Sequence, residues 1–367
     1  MSLNIRQNYV FFVSDVAFGG KHIYMANLVG ALAALGARIT LVVQTGGDLE
    51  KYLRAGNTSG VGVIDIDLFA EDSAVRETCK HLADVEPGST VFATGRRDAQ
   101  ILHFTKPHME HLHWAAFRHS GFPLAEGGPA RDYYDSCSLL VLTSQRLLAC
   151  DFAHVPADRK VLLRSTVPPN WATTVSQRRA RRPQLSSGEN PRMEVVYTGR
   201  LSWEKGIDRL LTAVSEQILT TDCLNLHLCG EGPDEAALRA RVAELHLATR
   251  VTFHPFRRDV AEYYAMADCV VLPSVAGETG PLSLKEAMAA GIAVVASAVG
   301  GVGEFVEHGT SGLLVSIDEP LTGTLVQLAQ DVSFRRQLAV GALKAAAAFG
   351  SWTDRATTLV AHTGGSL

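Results

Sequence analysis

No run of apolar residues in this 367-residue chain approaches the length of about 18 that a membrane-crossing helix requires. The apolar "NYVFFVS" near the start has neither the length nor the cleavage site of a secretory leader. Cysteine pairing is missing too. Cys79, Cys137, Cys150, Cys223, Cys229 and Cys269 form no C-x-x-C and no metal-ligand spacing. Most fall in runs such as "LHLCG" and "MADCVVL", where cysteine acts as a small core residue. These absences predict a cytoplasmic protein with neither a disulfide framework nor a metal site. Excess positive charge is also lacking: the net charge of −4 gives no support to a nucleic-acid binder. The charge is uneven, with 20 Lys and Arg against 17 Asp and Glu in residues 1–185, and 14 against 21 in the rest. Arg178, Arg179, Arg181 and Arg182 cluster in "RRARR", inside a polar stretch containing Pro and Ser. This reads as a solvated linker, with a patch for anionic membrane or acceptor as the alternative.

What is present is alternation. The length exceeds one ordinary core and predicts two domains. In the first half, "YVFFVS", "RITLVVQ", "GVGVIDI", "TVFATG", "HLHWAAF", "SLLVLTS" and "KVLLRST" read as strands separated by helix-compatible stretches. Residues 22–35 show helical spacing through Ile23, Ala26, Leu28, Leu32 and Leu35, with Gly36 as the stop. Residues 172–193 are aperiodic, polar and basic, a linker signature. Alternation then restarts with "MEVVYTG", "LNLHLCG", "RVTFHPF", "CVVLPS", "IAVVAS" and "SGLLVS". The fold class expected is α/β: two doubly wound parallel-sheet domains, 1–171 and 194–345, with a cleft between them.

Four stretches carry chemistry. In "GETGPLSLKEAMAAGIAVVAS" (277–297), Pro281 suits the first position of a helix over 281–290 and Gly291 the position just past its end. The amides of Gly280, Leu282 and Ser283 then lie at the positive end of that helix, a ready anion site flanked by Glu278 and Glu286. In "VVYTGRLSWEKGIDRLL", Arg200 and Lys205 flank the loop after a strand ending at Gly199, which suits a diphosphate. The alternative is two surface cations paired with Glu204 and Asp208. "LCGEGPDEAAL" matches a dinucleotide fingerprint only in Gly230 and Gly232, so it reads as a tight turn before a helix. Gly19 and Gly20 in "FGGK" allow a ligand close to the backbone at the first helix, or serve as a plain βα turn. Asp65-x-Asp67 reads as strand-end polarity.

Taken in this order, "TGRLSWEKGIDRLL", "HLCGEGPDEAAL", "VTFHPF", "YYAMADCVVLPS", "ETGPLSLKE", "EAMAAGIAVVAS" and "GGVGEFVEHGTSGLLV" resemble the retaining glycosyltransferases of GT-B architecture, family 4 type. This is the glycogen-synthase-like and mannosyltransferase-like group. In the first half the likeness rests on "FGGKHIYMANLVGALAALGARITLVV". The resemblance implies two Rossmann-like domains and a final helix, 346–367, returning to the first of them. It implies that Arg200 and Lys205 bind the donor diphosphate, that Glu286 holds the ribose, and that Glu278 meets the donor sugar. Thr279, Gly280, Pro281 and Leu282 join that donor site, as do Gly19, Gly20, Gly199 and Gly230. Thr279-Gly280 departs from the family's usual Gly followed by a large apolar residue. His119 follows the fifth strand and is expected at the cleft as a sugar or acceptor contact; His111 and His113 read as strand residues.

The expected reaction transfers a hexose-type sugar from a nucleotide-diphosphate sugar, UDP by family frequency, to a hydroxyl of a small soluble acceptor. It needs no cofactor and no metal, no nucleic acid, and at most peripheral membrane contact. Arg200 and Lys205 stabilise the leaving diphosphate, which itself takes the acceptor's proton as attack occurs on the same face. A sugar-nucleotide 2-epimerase and a catalytically silent nucleotide-sugar-binding protein are the rivals.

Overall fold

The computed structural model describes residues 7–15, 19–49, 60–181, 192–218, 221–257 and 259–364. The chain divides into one unit of Met1–Ser165 with Ser351–Leu367, and a second of Thr166–Gly350.

The first unit runs β1 (Asn8–Val13), α1 (Gly20–Ala34), β2 (Arg38–Gln44), β3 (Val61–Ile66), α2 (Glu71–Ala83), β4 (Thr90–Ala93), α3 (Arg96–Thr105), β5 (His113–Arg118), α4 (Pro129–Ser136), β6 (Leu139–Leu142) and β7 (Lys160–Leu162). The strands pair in parallel in the order β3-β2-β1-β4-β5-β6-β7. Core fills both faces of this sheet, which is why β1, β4 and β6 read as unbroken apolar runs rather than alternating ones. Helix α1 stops at Gly36, whose φ of 94° is left-handed. Its buried face is rotated from the one the spacing predicts: Tyr24, Met25, Leu28, Val29 and Leu32 are buried, while Ile23 and Ala26 are half-buried. Tyr24 takes the core position because its hydroxyl reaches the Leu163 carbonyl at 2.9 Å.

The second unit runs α5 (Trp171–Ala180), β8 (Met193–Thr198), α6 (Ile207–Ile218), β9 (Leu224–Cys229), α7 (Glu235–Glu244), β10 (Val251–His254), α8 (Ala261–Met266), β11 (Cys269–Leu272), α9 (Leu282–Ala289), β12 (Ala293–Ser297), β13 (Leu313–Val315), α10 (Thr322–Gln330) and α11 (Val332–Ala346). Its strands are parallel in the order β10-β9-β8-β11-β12-β13. Helix α12 (Trp352–His362) completes the first unit, burying Trp352, Ala356, Leu359 and Val360 in the core beside α1.

The stretch expected as an aperiodic linker from residue 172 begins instead as a helix. Trp171 and Val175, four residues apart, anchor α5 in the second unit's core, and two apolar residues are too few to register as periodicity. The arginine cluster is correspondingly not all solvated linker. Arg178 pairs with Asp259, and Arg179 donates to the carbonyls of Tyr264, Ala265 and Ala267 at the end of α8. Arg182 lies outside the described residues. Among the described residues, no helix is long and apolar enough to cross a membrane.

Both sheets reverse their strand order once, between β1 and β4 and between β8 and β11. In open parallel sheets such reversals open crevices at the carboxyl ends of the strands.

Candidate active site

At the second unit's reversal, the loops following β8 and β11 lock together. The amide of Val275 donates to the Glu204 carbonyl at 2.9 Å. Lys205 Nζ then donates to Glu278 Oε1 at 2.6 Å, and Ser274 Oγ donates to the same oxygen at 2.6 Å. Glu278 is 5% exposed, so its charge is held by a cation and a hydroxyl rather than by water. Lys205 therefore pairs with a carboxylate 73 residues away rather than with Glu204 or Asp208, and Asp208 pairs with Arg241. Arg200 is exposed, and no ion pair to it occurs among the described residues. The Tyr197 hydroxyl donates to the Arg200 carbonyl at 2.7 Å and steadies that turn. A side chain on Gly230 would collide with the Gly199 carbonyl, so the turns after β8 and β9 pack backbone to backbone.

Helix α9 starts at Leu282, with Pro281 one position outside it rather than at its first residue. Gly291, at φ 65°, ends it as the spacing predicts. Glu278 precedes this helix and Glu286 lies within it, buried. The Tyr264 hydroxyl donates to Glu286 Oε2 at 2.7 Å and contacts Thr198 Oγ1 at 2.8 Å. Trp171 closes the cluster: its indole N–H donates to the Glu286 carbonyl at 2.7 Å, and its ring meets Tyr264 edge-on at 5.3 Å. Burial pushes the Glu286 carboxyl up to about 7, with the Tyr264 hydrogen bond pulling the other way. The Ser283 carbonyl, in the first turn of α9, also lies within 3.1 Å of the Tyr264 hydroxyl.

The structure thus gathers Gly199, Lys205, Gly230, Glu278 and Glu286 on the loops and helix of one unit, with Arg200 on the same β8 turn and Thr279, Gly280, Pro281 and Leu282 leading into α9. Gly19, Gly20 and His119 belong to the other unit. Gly19 caps α1 in an extended conformation, with its amide donating to His22 Nδ1 at 3.0 Å, and Gly20 is the first helical residue. His119 follows β5, stacked on Phe117 at 5.4 Å and edge-on to Tyr24 at 4.7 Å. Burial, then Lys21, Arg118 and His22, push its pKa well down, so its ring is neutral. Sequence reasoning missed Ser274, Tyr264, Thr198 and Trp171, which carry no local motif.

Two all-parallel α/β units, each with one strand-order reversal, have the architecture of the GT-B fold. Residues 192–331 match the family model of glycosyl transferases group 1. The second unit thus carries a group 1 glycosyltransferase domain, in a chain of GT-B fold. An uncharacterised glycosyltransferase of Methanocaldococcus jannaschii is 28% identical over 239 residues, 62% of this chain and 60% of that relative. The chain therefore spans under two thirds of that relative's length. A D-inositol 3-phosphate glycosyltransferase of Thermobispora bispora is 26% identical over 93% of this chain and 88% of its own. The Anabaena protein HepE, solved in complex with UDP-glucose, shares the fold at a TM-score of 0.81 and 19% identity, over 97% of this chain and all of the other.

Proposed function

We propose that the protein is a retaining glycosyltransferase that moves a hexose-type sugar from a nucleotide-diphosphate sugar to a hydroxyl of a small acceptor. UDP is the nucleotide of choice, in keeping with the UDP-glucose held by HepE. The observation that carries this reading is the Lys205–Glu278–Ser274 cluster beside the start of α9. A buried carboxylate already held by a lysine is oriented to accept hydrogen bonds from sugar hydroxyls. Arg200, Lys205 and the first amides of α9 offer positive charge to a leaving diphosphate, which supports departure without a metal. Glu286, facing Tyr264 and Thr198, is the group for the ribose hydroxyls. The diphosphate oxygen that loses the anomeric carbon takes the acceptor's proton as the new glycosidic bond forms on the same face. His119 contacts the sugar or acceptor as a neutral imidazole.

A thermal-shift panel with UDP, GDP, dTDP and ADP tests the donor site. A nucleotide at 100 times its Kd adds ~2.7 kcal/mol of stability. One nucleotide is expected to stabilise wild type selectively, and Glu286→Ala and Arg200→Ala are expected to weaken that effect. Lys205→Met is expected to lower kcat by ~100-fold or more in a product assay, as loss of one preorganised charge at the leaving group does. Four flat responses from folded protein would sink the reading.

A further inference from the structure

Buried carboxylates are handled in two ways in this chain. Asp98, in the first turn of α3, is sealed from solvent with both oxygens engaged. Its Oδ1 accepts from the Ser14 amide at 2.8 Å, and its Oδ2 from the Thr94 amide and hydroxyl at 3.1 Å each. That is how a structural carboxylate is satisfied without water. Glu286 is 6% exposed, yet its carboxylate receives a single hydrogen bond, from the Tyr264 hydroxyl to Oε2. Its other oxygen, Oε1, accepts from no donor among the described residues. A buried carboxylate oxygen left unpaired is costly unless a ligand supplies the donors.

The engaged oxygen is held by a chain of hydroxyls drawn from three elements. Thr198 ends β8, Tyr264 lies in α8 and Glu286 in α9. Thr198 Oγ1 is 2.8 Å from the Tyr264 hydroxyl, so a phenol that donates to Glu286 accepts from Thr198. Tyr264 is fully buried, with the Trp171 ring edge-on at 5.3 Å. No charged side chain of β8, α5 or α8 pairs with Glu286 among the described residues, and Tyr264 is the titratable group that faces it. The last torsion of a glutamate is broad when nothing holds it. Pinning Oε2 fixes that torsion and with it the direction in which Oε1 accepts.

We propose that Tyr264 is a positioning residue of the donor site: by holding Glu286 Oε2, with Thr198 behind it, it presents Oε1 to the ribose hydroxyls and makes the site select ribonucleotides over 2′-deoxyribonucleotides. This rests on the nucleotide-sugar reading, in which Glu286 meets the ribose. A 2′-deoxyribose offers one donor fewer to an oxygen that the chain itself leaves unpaired.

The test is calorimetric titration of the whole protein with UDP and 2′-deoxy-UDP, and with GDP and 2′-deoxy-GDP, between pH 6 and pH 9. Wild type is expected to bind one ribonucleotide about tenfold or more tighter than its deoxy counterpart at pH 8. The ratio of the two affinities cancels the titration of the phosphate, which both nucleotides share. It is expected to fall as the pH drops through about 7, where burial places the Glu286 carboxyl, because the ionised form is the stronger acceptor. In Tyr264→Phe the ratio at pH 8 is expected to fall severalfold. Its midpoint is expected to move up by about one pH unit, since a hydrogen bond to the charged carboxylate is lost. A tyrosine that served packing alone would move neither. Thr198→Val is expected to lower the ratio less, and Thr198→Ser, which returns a hydroxyl, to restore it. Should Tyr264→Phe not fold, the two Thr198 variants still decide. Wild type that binds none of the four nucleotides would overturn the donor reading and this proposal together. A ribonucleotide bound without preference over its deoxy counterpart, or a ratio and midpoint unchanged in the folded variants, overturns the positioning role alone.

Discussion

Burial and one phenol set the proton affinity of Glu286. Its pKa rises from an ordinary 4.5 to about 7, so between those values the folded protein keeps a proton that the unfolded chain releases. Its contribution to stability is therefore fully present below about pH 4.5 and is lost as the pH rises through 7. At 1.36 kcal/mol per unit this amounts to roughly 3 kcal/mol. Denaturant unfolding at pH 5 and pH 8 is expected to show this decline in wild type and a smaller one, by about that amount, in Glu286→Gln. An equal decline in both would mean that Glu286 does not titrate abnormally. At this scale the candidate site was half legible. Arg200, Lys205, Glu278 and Glu286 stand out because their motifs are local. Tyr264 and Thr198 do not, because they meet Glu286 and each other across 22 and 66 residues of chain.

Among the elements, α12 shows how sequence position and structural membership part company. It follows the second unit in the chain yet buries Trp352, Ala356, Leu359 and Val360 in the first unit's core. Its start is marked by a capping box, in which Ser351 accepts from the Asp354 amide and Asp354 accepts from the Ser351 amide. Leu359→Ala is expected to cost the first unit about 3 kcal/mol through the cavity it leaves. UDP affinity, read by titration of the folded variant, is expected to stay at the wild-type value, because the donor residues belong to the other unit. Helix α5 is the converse case. A short helix carrying "RRA" at its end looks like linker until Trp171 is seen to pack on Tyr264 and bond to Glu286.

For the whole molecule, two units with separate cores predict two unfolding events rather than one. Scanning calorimetry is expected to resolve them, with UDP raising only the transition that Glu286→Gln also moves; a single transition shifted as one by UDP would contradict this. The sequence by itself determined the α/β alternation, the parallel sheets and which charged residues flank the strand ends. Those follow from periodicity and turn chemistry, which act over a few residues. Only the tertiary structure decided that Lys205 pairs with Glu278, that Glu286 holds its proton near neutral pH, and that the Tyr264 hydroxyl joins Glu286 to Thr198. Desolvation and ion pairing depend on what the fold brings alongside a group, and in each case the deciding neighbours come from distant parts of the chain.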